Sequence, residues 1–313
     1  MKMPPLKHND RTLLIVAIPF VRDFDFEYGF CAQLSPLLQR VIANNPGPFT
    51  YTGTGVYIIG DENVAVIDPG PTTPEHIAAL DKALVGRNVT HVLVTHHHVD
   101  HSPLAKPLAK KHDCKVYGYG LQARTPIGGD VRLEAGDDLT FQPDVELRCG
   151  DVIKGYGWTI EAIHTPGHTS NHLCYALKEE NILFSGDHIM GWSTSVVSPP
   201  DGHMGDYLNS LKRILARNFT RIWPTHGPAI EDPHIFVTEY INHRYAREDQ
   251  IMAAIDDGLH SISDMVAHIY KDVDKRLHPA ASHSVLSHLI HMTETNRVKT
   301  DGASGLKAHY TRV

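Results

Sequence analysis

Short apolar runs, broken by turns rich in Gly, Pro, Asn and Asp, fill the first two thirds of the chain. Val56-Tyr57-Ile58-Ile59 and Val64-Ala65-Val66-Ile67 flank Gly60-Asp61-Glu62-Asn63, a pattern that predicts a β-hairpin closed by Asp68-Pro69-Gly70. Ile77, Leu80, Ala83 and Leu84 recur at helical spacing, which predicts a helix over Pro74 to Val85. Val89 to Val94 is apolar and β-branched and reads as a buried strand. Ser102-Pro103 offers an N-cap and a first-turn proline, so a helix is expected over Pro103 to His112. Val116-Tyr117-Gly118 reads as another strand, and Gly128 to Gly157 as turns with short strands. Trp158 to His164, Asn181 to Ser185 and Arg221 to Pro224 repeat one pattern, a strand that delivers a His or Asp to a turn. Tyr207 to Arg217 is helical in period. Leu13 to Val21 follows Lys2, Lys7 and Arg11 in the manner of a signal peptide. Arg22-Asp23-Phe24-Asp25 comes next without a small-residue cleavage site, so a first strand is expected instead.

The pattern changes near Pro233. Helical periods cover Phe236 to Asp257, Ile262 to Tyr270 and Ala280 to Thr295. Asn296 to Lys299 and Lys307 to Tyr310 flank a Gly- and Ser-rich turn and predict a terminal hairpin. Three helices and a hairpin make a winged-helix-like unit, giving an expected division at residues 1–235 and 236–313. Ala280 to Thr295 would be its DNA-reading helix, yet it carries no Lys or Arg. Val285, Leu286, Leu289, Ile290 and Met292 fit packing against the first domain or a homodimer partner, and no sequence-specific DNA binding is expected. A net charge of -7 argues against a protein held to nucleic acid by nonspecific attraction. The four cysteines show no C-x-x-C spacing and read as reduced thiols of a cytoplasmic protein. No apolar run approaches the roughly 20 residues that span a bilayer, so no membrane role is expected.

The chemistry concentrates in Thr95-His96-His97-His98-Val99-Asp100-His101, an H-x-H-x-D-H spacing between a strand and a helix. Imidazole nitrogens and carboxylate oxygens suit zinc. His168, Asp187 and His226 each stand beside a glycine at a strand end, where the backbone is free to approach an ion. Seven candidate ligands exceed one tetrahedral ion and suffice for two that share a carboxylate. The expected first zinc takes His96, His98 and His168; the second takes Asp100, His101 and His226; Asp187 bridges. Manganese or iron would fit the same donors. The reaction expected is attack by metal-bound hydroxide, with Asp100 as catalytic orienting group. Asp68 is expected to fix a ligating imidazole. His172, His243 and Arg244 are candidates to face the substrate, whereas His97 should point away.

These residues resemble the metallo-β-lactamase superfamily. H-x-H-x-D-H at His96 to His101, T-P-G-H-T at Thr165 to Thr169, S-G-D at Ser185 to Asp187 and T-H-G at Thr225 to Gly227 stand in the order that family uses. The resemblance implies an α/β (α+β) fold, an αββα sandwich with the metals at one edge between two sheets. Asn45 to Thr50, Gly53 to Tyr57 and the C-terminal helices further resemble the lactamase-β-like endoribonuclease subgroup with its winged helix. Gly55 departs from that pattern, where asparagine usually follows the threonine. The subgroup implies a phosphodiester of single-stranded RNA as substrate. The alternative is a small-molecule ester or thioester, hydrolysed as in the glyoxalase II type. Persulfide dioxygenases of the superfamily, which hold one iron, are a more distant alternative.

Overall fold

The computed structural model describes residues 18–121 and 136–313. Seven strands lie side by side in chain order: β1 (Cys31–Gln33), β2 (Leu38–Ile42), β3 (Gly55–Ile59), β4 (Asn63–Ile67), β5 (Asn88–Leu93), β6 (Lys115–Gly118) and β7 (Val145–Glu146). The first four run antiparallel, and β4 to β7 run parallel. A second sheet holds β8 (Val152–Lys154), β9 (Thr159–His164), β10 (Leu173–Leu177), β11 (Ile182–Gly186) and β12 (Arg221–Pro224). Only its β11–β12 pair is parallel.

Period-two alternation assigns each side chain to a layer. Tyr57, Ile59, Ala65 and Ile67 face inward and meet Ile160, Ala162, Leu173, Tyr175 and Phe184 of the second sheet. Their neighbours Val56, Ile58, Val64 and Val66 face outward onto Leu80, Leu84, Ala105 and Leu108. Those residues come from the first helical layer, α1 (Pro74–Ala83), α2 (Ala105–His112) and the turns flanking them. Ile163, Cys174, Leu183 and Ile222 meet the opposite layer, α3 (Met204–Leu215) and the start of α4 (Pro233–Asp256). Strands buried on both faces read as unbroken apolar runs, which is why the sequence displays them clearly. Each such side chain contributes about 1.5–3 kcal/mol on leaving water. A one-residue slip would exchange the two faces of a strand, so both layers fix the register. The result is an αββα sandwich.

The C-terminal unit adds α5 (Ile262–Ile269), α6 (His278–Glu294), β13 (Val298–Thr300) and β14 (Tyr310–Arg312). Ser261 caps α5 by accepting from the Asp264 backbone N–H at 3.2 Å. Val285, Leu286, Leu289 and Met292 of α6 are buried with Met265, Val266 and Tyr310. No helix among the described residues is long and apolar enough to cross a membrane.

Several sequence expectations shift. α2 begins at Ala105, not Pro103, and Leu104 occupies its N-cap position. The Ser102 hydroxyl caps nothing; it donates to the charged Asp138 carboxylate at 2.9 Å instead of accepting from the first N–H groups of the helix. Of the expected strand Leu13 to Val21, residues 13–17 lie outside the described residues and Ile18 to Val21 form no strand. Phe20 packs edge-on against Phe236 and Tyr240 of α4 instead, with ring centroids at 6.0 and 6.3 Å. Within Gly128 to Gly157, residues 128–135 are also outside the described residues. The terminal hairpin pairs Val298 with Arg312, about two residues beyond the expected segments.

Candidate metal centre

Five strand ends deliver the site. Asp68 follows β4, His96 to His101 follow β5, His168 follows β9, Asp187 follows β11 and His226 follows β12. These are C-terminal strand ends, where ligands of open α/β sheets gather. All seven expected ligands are buried. They form two groups, His96, His98, His168 and Asp187 in one and Asp100, His101 and His226 in the other, with ligand atoms in each group within 4.8 Å of one another.

Asp187 faces both groups. Its Oδ1 lies 3.4 Å from His226 Nε2 and 3.6 Å from His101 Nε2, and its Oδ2 lies 3.8 Å from His168 Nε2. In the first group His98 Nδ1 stands 2.9 Å from His96 Nε2 and 3.2 Å from His168 Nε2. In the second, Asp100 Oδ2 lies 3.1 Å from His226 Nε2 and 3.4 Å from His101 Nε2.

The outward nitrogens decide what the inward ones carry. His101 Nδ1 donates to Asp68 at 2.9 Å, His168 Nδ1 to the Val196 carbonyl at 2.7 Å, and His226 Nδ1 to the Gly53 carbonyl at 3.1 Å. With a proton held on Nδ1, Nε2 is the nitrogen that each ring can turn inward as a lone pair once it gives up any second proton. His101 Nε2 and Asp187 Oδ1 are buried without a hydrogen-bond partner. Buried lone pairs converging with unmet acceptors are a donor set that a divalent cation satisfies, so the residues fit a metal pair.

Electrostatics tell the same story in protons. Burial, then the imidazoles of His101 and His98, push His96 well below its ordinary value. Burial opposes charge on His226, but Asp187 and Asp100 outweigh it and hold this imidazole up at about 10. Against burial, Asp100, Asp187 and Asp68 likewise hold His101 well above its ordinary value. Burial pushes the carboxyls of Asp100 and Asp187 up, and the facing imidazoles overcome it and bring both well below the usual range.

Asp68 is fully enclosed and accepts from the Thr95 backbone N–H (2.7 Å), the Thr95 hydroxyl (2.7 Å) and the Thr225 hydroxyl (3.2 Å), besides His101. His172 does not face the pocket. Its Nε2 accepts from the Asp187 backbone N–H at 3.2 Å and its Nδ1 pairs with the Thr165 hydroxyl at 2.9 Å, so it sits behind the carboxylate that joins the groups. Arg244 is buried as well. Its Nη2 donates to the Ser195 carbonyl at 2.6 Å, beneath the segment that walls the pocket. His243 is half-buried beside Arg244 on α4; burial first, then Arg244 and Arg247, push it down to about 3. His97 turns away from the cage and pairs through Nδ1 with Asn171 at 2.9 Å.

Sequence reasoning missed Thr95, Thr225, Thr54 and Asn45. Thr54 reaches Asp100 at 3.5 Å, and Asn45 brackets Thr54 with contacts of 2.9 and 3.0 Å. The glycines also act otherwise than expected. A Cβ at Gly186 would stand 2.6 Å from His172 Nε2, and one at Gly227 2.8 Å from Trp192, so protein packing demands them rather than approach to an ion.

A pocket opens beside the cage. Pro48, Phe49, Met190, Trp192, Ser193, Thr194 and Val196 line it, facing His98, Asp100, His168, Asp187 and His226. Its described lining residues include no Lys or Arg.

Comparison with known proteins agrees with this geometry. Residues 51–226 match the model of the metallo-beta-lactamase superfamily, and residues 261–306 match that of the beta-lactamase associated winged helix domain. A beta-lactamase-like protein 2 homolog of Drosophila melanogaster is 33% identical over 280 residues, covering 85% of this chain and 91% of that protein. An atrochrysone carboxyl ACP thioesterase of a Cryptosporiopsis species is 31% identical over 227 residues, covering 72% of this chain and 64% of that protein. The crystal structure of a beta-lactamase domain protein from Burkholderia ambifaria superposes with a TM-score of 0.75 at 19% identity, over 96% of this chain and 99% of that one.

Proposed function

The chain belongs to the metallo-β-lactamase superfamily and carries the associated winged-helix domain, and from that premise we propose that it is a dinuclear zinc hydrolase of thioesters. The observation that carries the substrate class is the pocket. A cleft for a polyanion needs guanidinium or ammonium groups beside the reacting centre. The described lining offers Phe49, Met190, Trp192 and Val196 instead, with the hydroxyls of Ser193 and Thr194 as polar contacts. An apolar wall with a few polar groups suits an acyl group. The thioesterase relative supports the same class. This reverses the order in which RNA and thioester stood on sequence resemblance.

In this reading His96, His98 and His168 would hold one cation, Asp100, His101 and His226 would hold the other, and Asp187, which faces both groups, would be shared. When bound, such a pair acidifies water to a pKa of about 7 and polarises a carbonyl oxygen. Asp100 lines the pocket and is placed to accept a hydrogen bond from the attacking water and orient it. Asp68 and the Val196 and Gly53 carbonyls keep three imidazoles in the ligating tautomer. His172 holds the backbone of Asp187. Residues 1–235 form the proposed catalytic domain and 236–313 the cap, with α4 as a shared element. The four cysteines, all free thiols, support a reducing, cytoplasmic setting.

The test compares turnover of an acyl thioester with cleavage of a fluorescent single-stranded RNA, both with zinc at physiological salt. Thioester hydrolysis abolished by chelation and restored by zinc is expected. RNA cleavage without thioester turnover would overturn the assignment. One iron per chain with oxygen uptake on a persulfide would overturn the zinc chemistry as well.

A further inference from the structure

One wall of the pocket is backed by stacked aromatic rings. Trp192 stands in it, and the Tyr51 ring stacks on that indole at 4.6 Å with 10° between the planes. Tyr51 holds φ at +54°, a left-handed conformation that a bulky aromatic residue rarely adopts and that persists only where surroundings enforce it. Here they do. The Tyr51 N–H donates to Gly47 at 2.8 Å, the Gly47 N–H returns a bond at 3.2 Å, and the Tyr51 hydroxyl donates to the Arg22 carbonyl. The five-membered ring of the indole lies against Gly227, where a Cβ would stand 2.8 Å from Trp192 Cδ1.

The segment carrying Trp192 is fixed from beneath by α4. The Tyr240 hydroxyl donates to the Met190 carbonyl at 2.7 Å and accepts from its N–H at 3.1 Å, while Arg244 holds the Ser195 carbonyl. Phe49 and Pro48 continue the wall toward solvent. An aromatic surface already ordered before binding takes up a flat ring with little further loss of side-chain freedom.

We propose that this wall selects thioesters whose acyl group is a planar, apolar ring system, such as an aryl or fused-ring acyl, over short aliphatic ones. The proposal rests on the thioester reading and adds the acyl class to it. Nucleobases also stack on aromatic walls. The described lining has no cation to hold the phosphates that accompany them, which favours the neutral acyl ring.

The experiment uses the zinc-loaded full chain and N-acetylcysteamine thioesters of 2-naphthoic, hexanoic and acetic acids. The expected kcat/KM for naphthoyl exceeds that for acetyl on the order of tenfold, the scale of one stacked contact together with its burial. In Trp192→Ala that ratio falls to near one while zinc content per chain stays at the wild-type value, and Trp192→Phe restores part of it. Tyr51→Leu serves as the second variant and lowers the ratio as well. Equal turnover of naphthoyl and acetyl esters by the wild type, or a ratio unchanged in both Trp192→Ala and Tyr51→Leu, would overturn the proposal. Binding of 2-naphthoate, followed by calorimetry, separates the two readings. If no thioester is turned over but 2-naphthoate binds the wild type and not Trp192→Ala, the wall stands and the thioester reading fails. Oligouridylate that binds and displaces 2-naphthoate would assign the wall to nucleobases and overturn the acyl proposal.

Discussion

Replacing Asp68 by asparagine tests how the cage keeps its lone pairs inward. The carboxylate has no solvent exposure and receives four donors, one at Oδ1 from the Thr95 N–H and three at Oδ2 from Thr95, His101 and Thr225. Its φ of +48° lies in the left-handed region that Asn occupies as readily as Asp, so Asp68→Asn leaves the backbone undisturbed. Alanine at that φ would add strain and obscure the result. The amide cannot accept at both positions. With nitrogen at the Oδ1 place it confronts the Thr95 N–H; at the Oδ2 place it confronts three donors. Either choice strands a buried donor, at a cost of about 1–3 kcal/mol. The second choice has a chemical outlet, because His101, when it gives up one proton to become a ligand, can keep the other on Nε2 instead of Nδ1. That nitrogen then presents N–H to Asp100 and Asp187 and no longer offers a lone pair. Loss of an outer partner of this kind lowers metal affinity or activity by roughly 10- to 100-fold. Competition titration of metal-free protein with zinc and a chromophoric chelator reads the affinity of each site, and nitrogen NMR of the imidazoles reads the tautomer. Asp68→Asn should weaken one site and leave the other near wild type. Wild-type affinity at both sites, with His101 still protonated at Nδ1, would refute the reasoning.

Asp187→Ala should abolish turnover and reduce bound zinc below two per chain; elemental analysis showing both ions retained would remove Asp187 as the joining ligand. In the metal-free cage His101 and His226 sit above their ordinary value of 6.5, His226 at about 10, so both carry protons at neutral pH. Zinc must expel them, and affinity should climb with pH up to about 10, with proton release at pH 7.5 visible by indicator dye; binding without release would contradict this. The same raised values stabilise the metal-free fold fully below about 6.5, and that stabilisation is lost as pH rises through about 10. Glu248 lies buried in α4, 2.7 Å from Arg297 and 2.8 Å from His291. Burial pushes its carboxyl up, but the His288 ring at 3.6 Å and the bonds from His291 and Arg297 hold it below the usual range, so its contribution is present above about 4.5 and lost on acidification. Glu248→Ala should cost on the order of 2–4 kcal/mol, since Arg297 keeps partial hydration, and should raise hydrogen exchange in α6; an unchanged Tm would rule this out.

The sandwich was legible because strands covered on both faces cannot hide among polar residues. Val56 to Ile59 and Val64 to Ile67 show it, and their alternation also assigns the layers. The cage was legible because its residues cluster at strand ends, where a His or Asp beside a glycine is conspicuous. What surrounds the cage was not. Thr54, Thr95 and Thr225 act through single hydroxyl contacts between segments far apart in the chain, and a threonine at a strand end has no local mark that separates this role from β propensity. Ser102 misled in the opposite direction. Its capping signal is local, while the Asp138 carboxylate that captures its hydroxyl is a tertiary partner.

Arg244 shows why the two domains do not divide chemically where composition changes. On a helix carrying Arg247 and Glu248, an arginine reads as solvated or as reaching for substrate. In the fold it is buried, with its guanidinium over the Tyr207 ring and one arm on the Ser195 carbonyl. The next residue, Val196, gives its carbonyl to His168 Nδ1. One helix therefore supports the pocket wall through Tyr240 and Arg244, and supports the backbone that orients a proposed ligand one residue further on. About three more turns of the same helix run on into the C-terminal core, where Ile251, Ala254 and Ile255 pack against α5 and α6. This helix is therefore rooted in both cores, through Phe236, Val237 and Tyr240 in one and Ile251, Ala254 and Ile255 in the other. Val285 to Leu289 of α6 are all buried, so the helix that stands where a winged helix would read DNA is committed to packing within its own unit.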